Sequence, residues 1–157
     1  MTELDGDLIA TDLSIAIVVS RFNEFIAERL FEGAVDAFVR HGGDHERLTI
    51  SRVPGAFELP LIAKRLAQSG RYDAVVCLGA VIRGATSHYD YVCSNTASGI
   101  ASAGLDTGVP VSFGVLTTDT LEQAIERSGG KAGNQGRHAM ASVIEMARLL
   151  LKIPVER

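Results

Sequence analysis

The sequence predicts an α/β protein, a three-layer α/β/α sandwich built on a four-stranded parallel sheet. Two observations carry this. Short continuous apolar runs, such as Ile15-Ala-Ile-Val-Val19 and Ala74-Val-Val-Cys-Leu78, are typical of strands covered on both faces. Helical patterns alternate with them along the chain, and strand–helix alternation implies parallel strands with helices on both faces. The length of 157 residues, with 46% hydrophobic and 22% charged residues, fits one globular domain over 1–157.

The elements follow in order. Residues 1–13 read as a flexible or edge-pairing arm anchored by Leu4, Leu8, Ile9 and Leu13. The first strand is Ser14–Ser20, and Asn23 is placed to cap a helix that runs to about His41 with Ile26, Leu30, Ala34 and Phe38 on one face. Gly42-Gly43 ends that helix. Arg47–Val53 is a second strand, broken by Pro54-Gly55, and a helix starts near Glu58 and reaches Gly70. Tyr72–Ile82 is the third strand. Asp90 to about Gly104 is a helix rich in small residues, suited to close packing on the sheet or on another subunit. Val109–Leu116 is the fourth strand, Thr117–Thr120 a polar turn, and Leu121–Arg127 a short helix. A glycine-rich loop over 128–134 precedes a last helix, Gln135–Leu151, with Met140, Val143, Ile144, Ala147, Leu150 and Leu151 at helical spacing.

Charge and composition exclude several classes. A net charge of −4 leaves no basic footprint for nucleic acid or an anionic membrane. The acidic start lacks the pattern of a signal peptide, and no apolar run is long enough to cross a bilayer. Cys77 and Cys93 fit no zinc spacing and read as small buried thiols, the default for a cytoplasmic protein without disulfides.

In a parallel sheet, ligands bind outside the carboxyl ends of the strands. Three such ends carry distinctive chemistry. Phe22 follows the first strand, an aromatic suited to stack on a planar heterocycle, although it also fits a core position. Glu58 follows the second, where a helix start alone would also favour a carboxylate. After the third, Gly84-Ala85-Thr86-Ser87 leads into a helix, an arrangement whose free N–H groups suit an anion such as phosphate. His88 stands next to it, and histidine is the side chain suited to proton transfer near neutral pH. A lone histidine is by default a surface or core residue; the Gly-Ala-Thr turn at a strand end favours catalysis here. His41, His45 and His138 lack that setting and read as solvent-exposed. Gly79 and Gly84 have P-loop spacing, but Ala85-Thr86 stands where Lys-Ser/Thr is required, which excludes a nucleoside triphosphate site. Arg127 ends a helix, where a cation is favourable anyway; it also fits a clamp on phosphate.

Arg21-Phe-Asn23, Pro54-Gly-Ala-Phe-Glu-Leu-Pro60, Gly79-Ala-Val-Ile-Arg-Gly-Ala-Thr-Ser-His-Tyr-Asp-Tyr-Val92, Phe113-Gly-Val-Leu-Thr-Thr-Asp119 and Lys131-Ala-Gly-Asn134 resemble the lumazine synthase family, in order and over about Leu13 to Leu151. The resemblance implies a flavodoxin-like fold and a riboflavin-pathway reaction. In it, 5-amino-6-(D-ribitylamino)uracil condenses with 3,4-dihydroxy-2-butanone 4-phosphate to 6,7-dimethyl-8-ribityllumazine, phosphate and water, without metal or cofactor. It also implies roles. Phe22 stacks on the pyrimidine, Ala56, Phe57 and Glu58 hold the ribityl chain, and Ala80, Val81 and Ile82 offer backbone groups to the ring edge. Ala85, Thr86 and Arg127 bind phosphate, Phe113 closes over the ring, and His88 shuttles protons. In the family, Phe113 and Arg127 come from a neighbouring subunit. The expected partners are the two small-molecule substrates and copies of the chain itself. Members form homopentamers, some of which assemble twelve at a time into an icosahedral shell that can hold a riboflavin synthase. The compact 128–134 loop resembles the shell formers, and the arm is suited to pair with a neighbour's sheet edge.

One loop departs from the family pattern. Gly133-Asn134-Gln135-Gly136 has glutamine where lysine is common, and His138 stands where glutamate is common. The cationic contact is then either absent or supplied by Lys131 or Arg137. The alternative function is a non-catalytic lumazine- or flavin-binding relative or a shell scaffold.

Overall fold

A computed structural model describes residues 1–155. The elements are β1 (Ile15–Ser20), α1 (Glu24–Arg40), β2 (Leu48–Val53), α2 (Leu59–Gln68), β3 (Ala74–Ile82), α3 (His88–Thr107), β4 (Val111–Thr118), α4 (Leu121–Arg127), β5 (Ser128–Gly130), β6 (Gly133–Asn134) and α5 (Gln135–Lys152), with short 3-10 turns at His45–Arg47 and Ala56–Glu58. The main sheet is parallel in the order β2-β1-β3-β4. This is the expected four-stranded α/β sandwich.

Alternation along buried strands feeds two cores. Ile15, Ile17 and Val19 of β1, with Val76 and Leu78 of β3, meet Ile26, Leu30, Phe38, Met140 and Ile144 of α1 and α5. Ala16 and Val18, with Val75 and Cys77, meet Leu59, Ala63 and Ile100 of α2 and α3. One strand thus supplies both faces, which is why its sequence is continuously apolar. The chain moves outward in opposite directions from β1 and β3, so their carboxyl ends flank the crevice where such sheets bind ligands.

Several boundaries differ from expectation. Asn23 adopts a left-handed conformation (φ 57°) and makes no side-chain cap; its side-chain amide donates to the Ala80 carbonyl at 2.9 Å. It therefore ties the β1–α1 turn to β3. Strand β4 starts two residues late and runs on through Thr117 and Thr118, so the polar turn is confined to Asp119-Thr120. The Pro110 carbonyl still accepts from the Val75 N–H. Thr120 then starts α4 with a capping box to Gln123. Helix α3 begins at His88 itself and ends at Gly108, whose φ of 70° suits glycine. The glycine-rich loop is a small antiparallel hairpin, β5–β6.

Of the arm's predicted anchors, Leu13 is buried and the other three are not. Leu4, Leu8 and Ile9 are exposed, and Ala10 and Leu13 are the buried residues. Polar contacts tie the arm's backbone to α5. Arg148 donates to the carbonyls of Ile9 (2.6 Å) and Thr11, and Lys152 to that of Asp5 at 2.7 Å. The Ala10 N–H donates to the His41 carbonyl, and His41 is half-buried rather than exposed. Of the α5 residues expected on the apolar face, Leu150 and Leu151 remain exposed.

Candidate active site

A cavity of about 710 Å³ opens at the carboxyl ends of β1, β2 and β3. It brings together Phe22, Ala56, Phe57, Glu58, Ala80, Val81, Ile82, Thr86 and His88, from the three strand ends singled out above. Its size lies in the range of ordinary small-molecule sites, ~300–1,000 Å³. Phe22 and Phe57 are 71% and 60% exposed, so both rings are available as stacking surfaces and neither serves the core. Glu58 closes the 3-10 turn at the start of α2, where the helix dipole favours a carboxylate, and its side chain makes no capping bond. The Thr86 hydroxyl accepts from the His88 N–H at 3.4 Å, drawing the anion loop against the first turn of α3.

Ala85, Phe113 and Arg127 fall outside this cavity. Ala85 is an exposed residue of the same loop. Phe113 lies on the edge strand β4 and is 37% exposed. Arg127 ends α4 and donates to the Gln123 carbonyl at 3.1 Å. None of the described residues lining the cavity is a lysine or arginine.

The sequence reading missed Tyr89, Tyr91 and Val92 as lining residues. Their signal was spacing: Tyr91 and Val92 lie three and four residues after His88 and share its helical face, once α3 is started at His88. Burial is the main cause holding the Tyr89 phenol above its usual pKa, with the Cys93 thiol second. Cys77 and Cys93 are free thiols.

A doubly covered parallel sheet, with an aromatic, carboxylate and histidine cavity beside a glycine-containing loop at its switch point, presents a candidate small-molecule site of the α/β class. It suits a planar ring and an anion together. The family model described as 6,7-dimethyl-8-ribityllumazine synthase matches residues 12–151, and the chain belongs to that family. The family consists of transferases of riboflavin biosynthesis. No helix among the described residues is long and apolar enough to cross a membrane.

Proposed function

We propose that the protein condenses 5-amino-6-(D-ribitylamino)uracil with 3,4-dihydroxy-2-butanone 4-phosphate to 6,7-dimethyl-8-ribityllumazine, releasing phosphate and water. The observation that carries this is the meeting, in one cavity, of two free aromatic rings, one carboxylate, the anion loop and His88. In this reading Phe22 stacks on the pyrimidine and the Ala80–Ile82 backbone pairs with the ring edge. Ala56, Phe57 and Glu58 hold the ribityl chain. The amides of Ala85 and Thr86 take the phosphate at the start of α3, where the helix dipole favours negative charge.

Imine formation, phosphate departure and ring closure all move protons. His88 is the group placed to move them, and such help is typically worth ~10²–10⁴-fold. Holding both substrates in register accounts for much of the remaining acceleration.

A phosphate ester bound with no lysine or arginine in the cavity lining calls for a cation from outside. We assign it to Arg127 of a neighbouring subunit, with that subunit's Phe113 covering the ring, in a pentamer that assembles further into an icosahedral shell. Exposed Phe22, Phe57 and Phe113 support an interface at this site.

Mixing the two substrates with protein should raise lumazine absorbance above the uncatalysed background; no increase would leave the binding-module or scaffold alternative. His88→Ala should lower turnover while inorganic phosphate still binds. Arg127→Ala and His88→Ala protomers, each inactive alone, should regain activity when unfolded and refolded together. Random mixing restores about a quarter of the sites if each site is shared across an interface. Recovery of none would place both groups in one protomer. The mass of the native particle distinguishes pentamer from shell.

A further inference from the structure

Arg83 is the one cation adjoining the anion loop in sequence, and its position suggests a phosphate ligand. The structure commits it elsewhere. Its backbone N–H donates to the Thr118 carbonyl at 2.9 Å, the last link between β3 and β4. Its Nε donates to Asp119 at 2.8 Å, beyond the end of β4, and one terminal nitrogen reaches Asp90 at 3.4 Å, in the first turn of α3. The guanidinium lies over the Tyr89 ring, 4.2 Å from its centroid. One planar fork therefore joins three segments: the end of β3, the start of α3 and the turn after β4.

We propose that Arg83 is a positioning residue that fixes the anion loop, Gly84–Ser87, by clamping both of its ends, and that it does not itself bind the phosphate. The inference rests on the phosphate-site reading above. Two carboxylates already face the guanidinium, so a third anion meets a neutralised cation. The residues on either side of the loop, Arg83 and the Tyr89-Asp90 pair, are held to each other across it. The loop's span is thereby set before any ligand arrives, and the direction of its free amides with it. Preorganisation of this kind improves binding by reducing the ordering that binding requires. Lysine is no substitute, because it lacks the planar fork that bridges two carboxylates and stacks on a ring.

The two roles predict opposite signs for one substitution. If Arg83 positions the loop, Asp119→Asn loosens the clamp and raises KM for the phosphate ester by about two- to fivefold, the scale on which an exposed ion pair acts. If Arg83 is instead a masked phosphate ligand, Asp119→Asn releases it and KM falls. Arg83→Gln, which also loses Asp90 and the Tyr89 ring, should raise KM at least as much, Arg83→Lys should not restore it, and adding Asp119→Asn to Arg83→Gln should raise it no further, because the Asp119 contact is already gone. KM for the pyrimidine should change less than about twofold, because Phe22 and the β3 backbone do not depend on the clamp.

The same series is titrated with inorganic phosphate, using protection of the loop amides from hydrogen exchange. That readout needs no turnover. A wild-type protein that binds phosphate at the loop yet makes no lumazine ends the catalytic reading and leaves the clamp standing. Unchanged phosphate affinity in Arg83→Gln, or full rescue by lysine, overturns the clamp alone.

Discussion

Gly136→Ala tests whether helices α1 and α5 meet through their backbones. A Cβ at Gly136 would lie 2.0 Å from the Leu30 carbonyl oxygen, 2.7 Å from its carbon and 2.9 Å from its Cα. Ordinary van der Waals contact begins near 3.4 Å, so the helices must part by more than an ångström. All three atoms belong to the Leu30 backbone, not to a flexible side chain. Asn134 pins the same junction, donating to the Arg29 carbonyl at 3.0 Å and accepting from the Arg137 N–H at 3.1 Å. Overpacking typically costs ~1–3 kcal/mol, and a backbone-on-backbone clash belongs at the upper end. Alanine recovers up to ~1 kcal/mol of helix propensity, which leaves a net loss of about 2 kcal/mol. For a chain of this size that lowers Tm by about 4–8 °C. The assay is thermal unfolding at fixed protein concentration, because assembly makes Tm concentration-dependent. Gly104→Ala in α3 meets nothing closer than 3.4 Å and serves as the control, with Tm unchanged or raised. A Gly136→Ala protein melting within about 1 °C of the parent would refute the contact.

Three further outcomes follow from named contacts. Gly6→Ala places a Cβ 2.0 Å from the Glu145 carbonyl oxygen, so the arm should lift from α5 and its amides exchange about tenfold faster; unchanged protection would show that the arm is not docked there. Burial pushes the Cys77 thiol up to about 12 from an ordinary 9.0. Between those values the unfolded chain releases a proton that the folded one keeps. Stability should therefore fall as pH rises above about 9, by up to ~1.4 kcal/mol per unit, and denaturant titrations should find that contribution missing in Cys77→Ala. Glu58→Gln keeps shape and removes the charge that the proposed function assigns to hydrogen bonds with the ribityl hydroxyls. KM for the pyrimidine should rise about tenfold with little change in kcat, and an unchanged KM would remove Glu58 from that role.

Much of the fold was legible because β1 and most of β3 are buried on both faces and α1 has a regular apolar face. Ile15–Val19 and Ala74–Leu78 admit little else, and Ile26, Leu30, Ala34 and Phe38 are all buried as their spacing requires. Errors came where tertiary contacts override local signals. Asn23 has a capping residue's identity, but its amide is used across the crevice by Ala80. Thr117 and Thr118 look like turn residues, yet β4 continues because β3 offers partners through Ile82. Leu4 and Leu8 promised burial and are exposed; the side chains of Arg148 and Lys152 hold the arm's backbone, and a hydropathy pattern cannot show those bonds. The candidate cavity was legible for a topological reason: three consecutive strand ends must converge once the sheet is parallel. Arg83's engagement was not, since Asp119 lies 36 residues away and only the folded sheet brings it near.

The hairpin before α5 shows which departures from the family matter. In Gly133-Asn134-Gln135-Gly136, Gly133 has φ 86°, Asn134 caps α5 and holds Arg29, and Gly136 admits Leu30. Those three positions serve the fold. Position 135 makes none of these contacts, and glutamine stands there where the resemblance leads one to expect lysine. Of the two cations considered as replacements, Arg137 is paired with Asp36 at 2.8 Å, leaving exposed Lys131 on the hairpin turn. Gln135→Lys should therefore leave Tm within about 2 °C of the parent, as surface changes do. If a cation at this position aids the ester, its KM should fall several-fold, and Lys131→Ala should raise KM in the parent more than in Gln135→Lys. A lysine that lowers Tm without lowering KM would show that glutamine is retained for the fold, and the separation of duties within the hairpin would be wrong.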